Sequence, residues 1–264
     1  DAVVLAVPND LHAPMAETAM RCGKDVLVEK PMARTSAEAE AMIRVRDETD
    51  RNLMVGMNQR FVPSHAAARK AVMGGAIGDV LQCRSRWLLD RPFEGLWERG
   101  DWFLSEAGSG GGPLLDLGIH RLDLALYVTG LQHVQSVTGM TSKGIGSTVA
   151  AARNKTYELE DYAIGLARFA DNTLLTLEAS YFLNVPGKVQ DTLIVGTAGS
   201  VHLADETTLT TWTDNEPVTT SLPPDTAMAT SCVEHFCRVL HKEEALIPTP
   251  EEGLLGLRIV EAIY

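Results

Sequence analysis

The sequence predicts an α/β region joined to an α+β region, because its hydrophobic pattern changes character after about residue 61. Before that point, short apolar runs alternate with segments of helical periodicity, which is typical of a parallel sheet with crossover helices. Beyond it, closely spaced runs with a rough period of two indicate a mainly antiparallel sheet. The 264 residues are 45% hydrophobic and 22% charged, which is sufficient for one large globular domain or two ordinary ones.

The first region contains three predicted strands and two predicted helices in the order β-α-β-α-β. The strands are predicted at residues 2–7, 26–29 and 53–57. The first helix covers residues 13–22 and stops at Gly23, a residue suited to a helix C-terminus. The second begins after Thr35, with Glu38 placed as in a capping box. Such an order predicts right-handed crossovers in a parallel sheet.

The second region contains a short helix at 65–73 and then a series of strands. The strands are predicted at 80–88, 134–140, 161–170, 173–183, 189–196, 199–204 and 207–213. Alternate residues of the segment 174–181 are apolar, so one face of this sheet is expected to be packed and the other more polar. Three helices, at about 114–129, 226–241 and 251–264, are expected to cover the packed face.

Composition argues against several classes of function. The net charge is −12 and no basic cluster is present, which argues against nucleic acid as a partner. No apolar run approaches the length that spans a bilayer, so no membrane partner is expected. The four cysteines show no C-x-x-C spacing, which predicts free thiols in a reducing, cytoplasmic location. No metal site is expected.

Two short segments carry the chemistry. Asp116 and His120 are four residues apart in a helix-period pattern that follows a glycine-rich lead, so they fall on one helix face. A carboxylate beside an imidazole suits proton transfer near neutral pH. Lys30 follows an apolar strand directly, at the edge where open α/β sheets bind ligands. Taken singly, Lys30 is better explained as part of a structural ion pair, Asp116 as a partner of the helix dipole, and His120 as a core histidine.

The order of four motifs along the chain favours a functional explanation of these residues over a structural one. They are Pro8-Asn9-Asp10-Leu11-His12, Glu29-Lys30-Pro31, Asn58-Gln59-Arg60-Phe61 and Asp116-Leu117-Gly118-Ile119-His120. In this order and spacing the chain resembles the glucose–fructose oxidoreductase and myo-inositol dehydrogenase (Gfo/Idh/MocA) family over essentially its whole length. The resemblance implies a partial Rossmann dinucleotide-binding domain at 1–61. It also implies a substrate-binding and oligomerisation domain at 62–264, built on a large open, mainly antiparallel sheet.

The resemblance also implies roles for single residues. Catalysis is expected from Lys30, Asp116 and His120; cofactor binding from Pro8, Asn9, His12, Glu29 and Lys30; and substrate binding from Arg60, Asp116 and His120. Tyr181 is a further candidate for substrate binding that rests on its position in the sequence alone, which favours packing in the sheet over a substrate contact. NAD or NADP is the expected cofactor. The family's first strand, its glycine-rich turn and the residue that distinguishes the two cofactors are expected to lie outside this sequence. The Lys30–Pro31 peptide is expected to be cis, because it must turn the chain sharply after a strand.

Three classes of function agree with these features. The first is an NAD(P)-dependent oxidoreductase acting on a sugar, inositol or related polyol, assembled as a homodimer or homotetramer. The second is a glycosidase on the same scaffold, in which NAD is reduced only transiently. The third is a non-catalytic dinucleotide or sugar sensor, against which the presence of Lys30, Asp116 and His120 argues. The sequence does not separate the first two classes.

Overall fold

A computed structural model describes residues 2–90, 95–213, 216–222 and 228–264, with the side chains of 228–230 excluded. Its first sheet contains three strands, β1 (Ala2–Leu5), β2 (Asp25–Glu29) and β3 (Leu53–Gly56), in that spatial order. All neighbours are parallel, with Val3 opposite Val26 and Val26 opposite Leu53. The predicted strands are confirmed, although the first ends at Leu5 rather than at residue 7.

Crossover helices α1 (His12–Arg21) and α2 (Ser36–Thr49) connect these strands. Gly23 has a φ of 73°, a left-handed conformation that glycine adopts readily, and the chain turns there into β2. At α2, Thr35 caps the helix by accepting a hydrogen bond from the Glu38 backbone N–H. The predicted capping box is only half formed, because the Glu38 carboxylate binds Arg34 instead of the Thr35 backbone.

The second sheet has eight strands. They are β4 (Val80–Leu88), β5 (Val134–Ser142), β6 (Tyr162–Phe169), β7 (Leu174–Ser180), β8 (Val189–Gly196), β9 (Gly199–Leu203), β10 (Thr208–Thr213) and β11 (Glu216–Ser221). Their order is β11-β10-β9-β8-β4-β7-β6-β5, and every neighbouring pair except β4–β7 is antiparallel. The sequence prediction missed β11, whose residues are all exposed and lack an apolar pattern.

Helices cover one face of this sheet. The face receives α3 (Pro63–Met73), α6 (Ile119–Thr129) and α9 (Pro250–Ile263). Short helices α4 (Gly95–Glu98), α5 (Glu106–Ser109) and α7 (Ile145–Ala151) lie in the connections and were not predicted. A π-helical turn, Leu114–Gly118, leads directly into α6. The alternation predicted for 174–181 is confirmed, since Leu175, Leu177, Ala179 and Tyr181 are all buried.

Helix α8 (Met228–Leu240) corrects one expectation, that the segment 226–241 covers the second sheet. Instead α8 packs on the first sheet, where Cys232 and Phe236 meet Leu27 and Met54. Residues 226 and 227 lie outside the described part of the chain. Helix α9 contacts both sheets and α2, so the hydrophobic core is continuous between them. The division at residues 61 and 62 therefore stays a prediction. In the described ranges, no helix is long and apolar enough to cross a bilayer.

Candidate active site

A cavity of about 180 Å³ opens at the carboxyl ends of β1 and β2. This is the edge at which parallel α/β sheets bind ligands. Its described lining consists of Ala6, Val7, Asn9, His12, Glu29, Lys30, Pro31, Arg99, Trp102, Phe103 and Asp116. The first seven of these residues come from the first sheet and its loops, whereas the last four come from the segment that leads into α6. The cavity therefore lies where the two sheets' connections meet.

Lys30 extends from the end of β2 across this junction. Its Nζ lies 2.5 Å from Asp116 Oδ1 and also donates to the Asp116 backbone carbonyl at 3.2 Å. The Lys30–Pro31 peptide is cis, as predicted. The side chain of Lys30 is only 16% exposed, so its charge is held in a largely dry environment beside Asp116.

Asp116 is carried by the π-helical turn rather than by a regular α-helix. Such turns are rare and occur frequently at functional sites. Its Oδ2 accepts a hydrogen bond from the Tyr181 hydroxyl at 2.7 Å, and Arg99 Nη1 lies 3.6 Å away. Burial opposes ionisation of this carboxyl, but the charge and hydrogen bond of Lys30 outweigh it and lower the pKa of Asp116 to about 2. Asp116 is therefore a carboxylate at any ordinary pH.

His120 lies one turn beyond Asp116 and is 8% exposed. Its ring packs against Trp87 with the two ring centroids 5.9 Å apart. Its Nδ1 is buried and has no hydrogen-bond partner within the described part of the chain. Burial, and then the charge of Lys30, hold the pKa of His120 well below 6.5. The imidazole is therefore neutral at neutral pH, which is the form that accepts a proton. The Asp116 carboxylate accepts hydrogen bonds from Lys30 and Tyr181.

The residues expected to bind cofactor lie around the cavity mouth. Asn9 Nδ2 donates to the Ser109 carbonyl at 2.8 Å, which ties the loop after β1 to the segment before the π-helical turn. His12 is buried, with its ring nitrogens 2.8 Å from the Pro31 carbonyl oxygen and 3.0 Å from that of Val7. Burial lowers the pKa of His12. A neutral imidazole carries one N–H, so His12 donates to one of these two carbonyls while it lies between both loops and lines the cavity.

Glu29 and Pro8 complete that set. The Glu29 side chain is exposed at the cavity and accepts a hydrogen bond from the Lys30 backbone N–H at 3.2 Å. Pro8 precedes a 3₁₀ turn at Asn9–Leu11 and accepts the Leu11 N–H through its carbonyl. Pro8 is not among the described residues that line the cavity, so its contribution is to shape the loop that carries Asn9.

Two expected substrate contacts lie elsewhere. Arg60 is buried in an ion-pair network, with Nη2 2.6 Å from Asp123 Oδ1 and Nη1 2.9 Å from Glu252 Oε1. These carboxylates hold its guanidinium between α6 and α9, away from the cavity lining. Tyr181 is fully buried and its hydroxyl faces Asp116. The substrate contact expected of both residues stays a prediction; in the structure each is bonded to a buried carboxylate.

The lining includes Arg99, Trp102 and Phe103, which the predicted site did not contain. The Arg99 guanidinium lies over the Phe103 ring, 4.6 Å from its centroid, and thereby reaches Asp116. Trp102 and Phe103 belong to a 3₁₀ turn at Asp101–Leu104, and Arg99 lies between that turn and α4, so no hydrophobic periodicity marked them. The combination of tryptophan, phenylalanine and arginine between two glycine-containing turns was the available signal.

The described lining fits a nicotinamide. Val7, Pro31, Trp102 and Phe103 provide an apolar wall, and Glu29 provides an exposed carboxylate suited to a ribose hydroxyl. The buried, unpartnered Nδ1 of His120 shows that the neighbouring region retains unused hydrogen-bonding capacity. Asn9, His12 and Glu29 are the residues that would hold the group, with Lys30 at the reacting end.

A parallel sheet that presents Lys30 at its carboxyl edge, joined to a large open sheet that supports Asp116 and His120, defines an oxidoreductase of the dinucleotide-binding class. Residues 1–57 match the oxidoreductase family with an NAD-binding Rossmann fold, and residues 65–202 match the GFO/IDH/MocA C-terminal domain. The chain belongs to the GFO/IDH/MocA family of oxidoreductases.

Named relatives agree with this membership. D-glucoside 3-dehydrogenase of Escherichia coli strain K12 is 28% identical over 275 residues, which cover all of this chain and 76% of that protein. Levoglucosan dehydrogenase of Pseudarthrobacter phenanthrenivorans is 30% identical over 216 residues, covering 75% of this chain and 54% of that protein. The chain thus spans about half to three quarters of these two relatives.

A solved structure shows the same architecture. The aldose-aldose oxidoreductase from Caulobacter crescentus, complexed with glycerol, superposes with a TM-score of 0.85 at 28% identity. The match covers all of this chain and 76% of that one. The arrangement of the two sheets is therefore shared with a characterised sugar oxidoreductase.

Proposed function

We propose that this protein transfers hydride between a nicotinamide cofactor and a hydroxyl or carbonyl group of a sugar, an inositol or a related polyol. The observation that supports this most directly is the contact of Lys30 with Asp116 at the cavity, one turn from the neutral imidazole of His120. When bound, the nicotinamide supplies or accepts the hydride. Relatives named for D-glucoside and levoglucosan dehydrogenation support the substrate class.

The chain's own groups divide the remaining work. Lys30 donates a hydrogen bond to the reacting oxygen and stabilises the negative charge that develops there. His120 takes the hydroxyl proton during oxidation and returns it during reduction. Asp116 holds the Lys30 ammonium by its 2.5 Å contact and accepts a hydrogen bond from a neighbouring hydroxyl of the substrate. Arg99 and Tyr181 keep Asp116 ionised and in place.

A spectrophotometric screen tests the proposal. Purified protein is mixed with NAD or NADP and a panel of aldoses, glycosides, inositols and sugar alcohols, and cofactor reduction is followed by absorbance. Reduction that depends on one polyol class supports the proposal. Cleavage of an aryl glycoside in the presence of NAD, without net reduction, supports the glycosidase alternative instead. Failure of every substrate in both assays, while the protein binds a sugar, supports a sensor.

The protein is further proposed to assemble as a homo-oligomer through the uncovered face of its large sheet. Met140, Leu166 and Leu174 are 74%, 51% and 45% exposed on that face. They lie on adjacent strands β5, β6 and β7, and Leu166 and Leu174 line a cavity of about 430 Å³. An apolar surface of this kind is typical of an interface, and a second copy presents the same surface by symmetry. A cytoplasmic location stays a prediction from the cysteine pattern.

A further inference from the structure

The glycine-rich lead of the Asp116 segment accommodates a carboxylate from the chain itself. Glu160, two residues before β6, is 3% exposed. Its Oε2 accepts the Gly112 N–H at 3.0 Å, and its Oε1 accepts the Leu114 N–H at 3.0 Å. Tyr264 donates its hydroxyl to the same Oε1 at 2.8 Å. One side chain therefore satisfies the backbone donors that open the π-helical turn.

The two glycines are needed because Glu160 comes so close. A Cβ atom added at Gly112 would lie 2.7 Å from Glu160 Oε2, and one added at Gly111 would collide with the Tyr264 hydroxyl. Real Cβ contacts do not approach that closely, so a side chain at either position would displace the carboxylate or its hydroxyl partner. The Gly111–Gly112 pair is thus explained by packing against Glu160 and Tyr264.

Glu160 is connected to the catalytic groups through the backbone. Leu114, which it holds, is the first residue of the turn that carries Asp116. The Asp116 N–H in turn donates to the Gly112 carbonyl at 3.0 Å, so Gly112 is fixed on both sides. We propose that Glu160 is a positioning residue that sets the start of the π-helical turn and so aims the Asp116 carboxylate at Lys30. The expected effect on kcat rests on the proposed function, whereas the expected effect on the position of Asp116 does not.

Asp161 provides a matched control on the neighbouring position. It is also 3% exposed, and its carboxylate accepts the Ile145 N–H at 2.7 Å and the Gly146 N–H at 2.8 Å. It therefore caps α7 in the same way that Glu160 caps the π-helical turn. Replacing either residue removes a buried carboxylate with two backbone donors, so the cost in stability is expected to be similar. The two backbone donors to the Asp161 carboxylate belong to α7, whereas those to the Glu160 carboxylate belong to the segment that carries Asp116.

The experiment compares Glu160→Ala, Glu160→Gln and Asp161→Ala in two measurements. The first is kcat and KM with the best substrate from the polyol screen. The second is the rate of reductive methylation of Lys30, read by mass spectrometry, which needs no substrate and no turnover. Glu160→Ala is expected to lower kcat about 10²-fold, the cost of a displacement of about 1 Å. Lys30 methylation is expected to change severalfold, because its Asp116 partner has moved.

Glu160→Gln is expected to recover part of the loss, since its amide oxygen still accepts one of the two N–H groups. Asp161→Ala is expected to lower the melting temperature while leaving kcat and Lys30 methylation near wild type. If Glu160→Ala does not fold, Gly112→Ala tests the same contact by pushing the carboxylate away. The proposal is overturned if the folded Glu160 or Gly112 variants keep the wild-type kcat and their Lys30 is methylated at the same rate as in Asp161→Ala. If the wild-type protein turns over no substrate but the rate of Lys30 methylation still changes in Glu160→Ala, the positioning role is supported and only the proposed function is refuted.

Discussion

The ammonium of Lys30 lies 2.5 Å from the carboxylate of Asp116, although the two residues are 86 positions apart in the sequence. The contact joins the end of β2 to the π-helical turn, and thus the first sheet to the helix layer of the second. Both side chains are largely buried, at 16% and 9% exposure. Removing either partner leaves the other charge poorly solvated, which is costly even where the intact pair adds little to stability.

Replacing Lys30 with alanine is expected to lower kcat by about 10²–10⁴-fold, the range for loss of one group in acid–base and charge-stabilising work. The physical reason is that no other described ammonium lies within reach of the cavity lining. Steady-state kinetics would measure the loss, and circular dichroism would check the fold. Lys70→Ala is the matched control, since Lys70 is exposed on α3. Near-wild-type turnover in Lys30→Ala would reject its assignment.

His120→Ala is expected to reduce turnover by a similar factor of about 10²–10⁴. The pH profile of the wild-type enzyme provides the independent test. Burial and Lys30 hold the pKa of His120 well below 6.5, and the neutral imidazole is the form that accepts the proton. Activity in the oxidation direction is therefore expected to be level from pH 8 down to 6.5 and to fall only at lower pH. A midpoint at or above 6.5 would contradict this assignment.

The positions of ten strands, β1 to β10, could be predicted from the sequence to within a few residues, because buried strands are marked by continuous or alternating apolar runs. Lys30 and Asp116 were also identified, since their motifs follow a strand and a glycine-rich lead. The π-helical turn was not predictable, because its hydrophobic pattern differs little from that of an α-helix. The carboxylate partners of Arg60 and Tyr181 were not predictable either, because spacing does not reveal which carboxylate a buried side chain meets.

Tyr181→Phe distinguishes the supporting role from the substrate contact expected earlier. The variant keeps the ring in the core and removes only the hydroxyl that donates to Asp116 Oδ2 at 2.7 Å. Loss of a hydrogen bond to a buried carboxylate is expected to lower the free energy of unfolding by about 1–3 kcal/mol. We expect kcat to fall and the KM for the polyol to stay unchanged.

Tyr162→Phe, which removes a hydroxyl bonded to Glu178 on the uncovered face, is the control. A raised KM with unchanged kcat would favour direct substrate contact instead.

Leu166→Glu tests assembly through the uncovered sheet face. Leu166 is 51% exposed on that face, on the strand between β5 and β7. A buried carboxylate without a partner is not tolerated in an apolar interface, so the variant is expected to be monomeric by light scattering at micromolar concentration. Ile145→Glu, at a site 47% exposed on α7, is expected to keep the wild-type mass. A wild-type protein that is itself monomeric would refute the proposed assembly.

His65 is expected to make stability depend on pH below neutrality. The side chain is fully buried on α3, and its Nδ1–H donates to the Gln59 carbonyl at 2.7 Å. Burial lowers the pKa of His65 from 6.5 to about 4. Between these two pKa values the unfolded chain binds a proton that the folded protein does not. The free energy of unfolding therefore has its full value above pH 6.5 and falls as the pH decreases toward 4. This pKa shift corresponds to about 3 kcal/mol in the free energy of unfolding.

Urea unfolding of His65→Asn at pH 7 and pH 5 tests this expectation. The variant keeps an N–H donor but does not titrate, so its free energy of unfolding should differ less between the two pH values than that of the wild type. His241→Asn, at a side chain 74% exposed, should retain the full difference. An unchanged pH dependence in His65→Asn would mean that another buried group, such as His12 or His120, accounts for the slope.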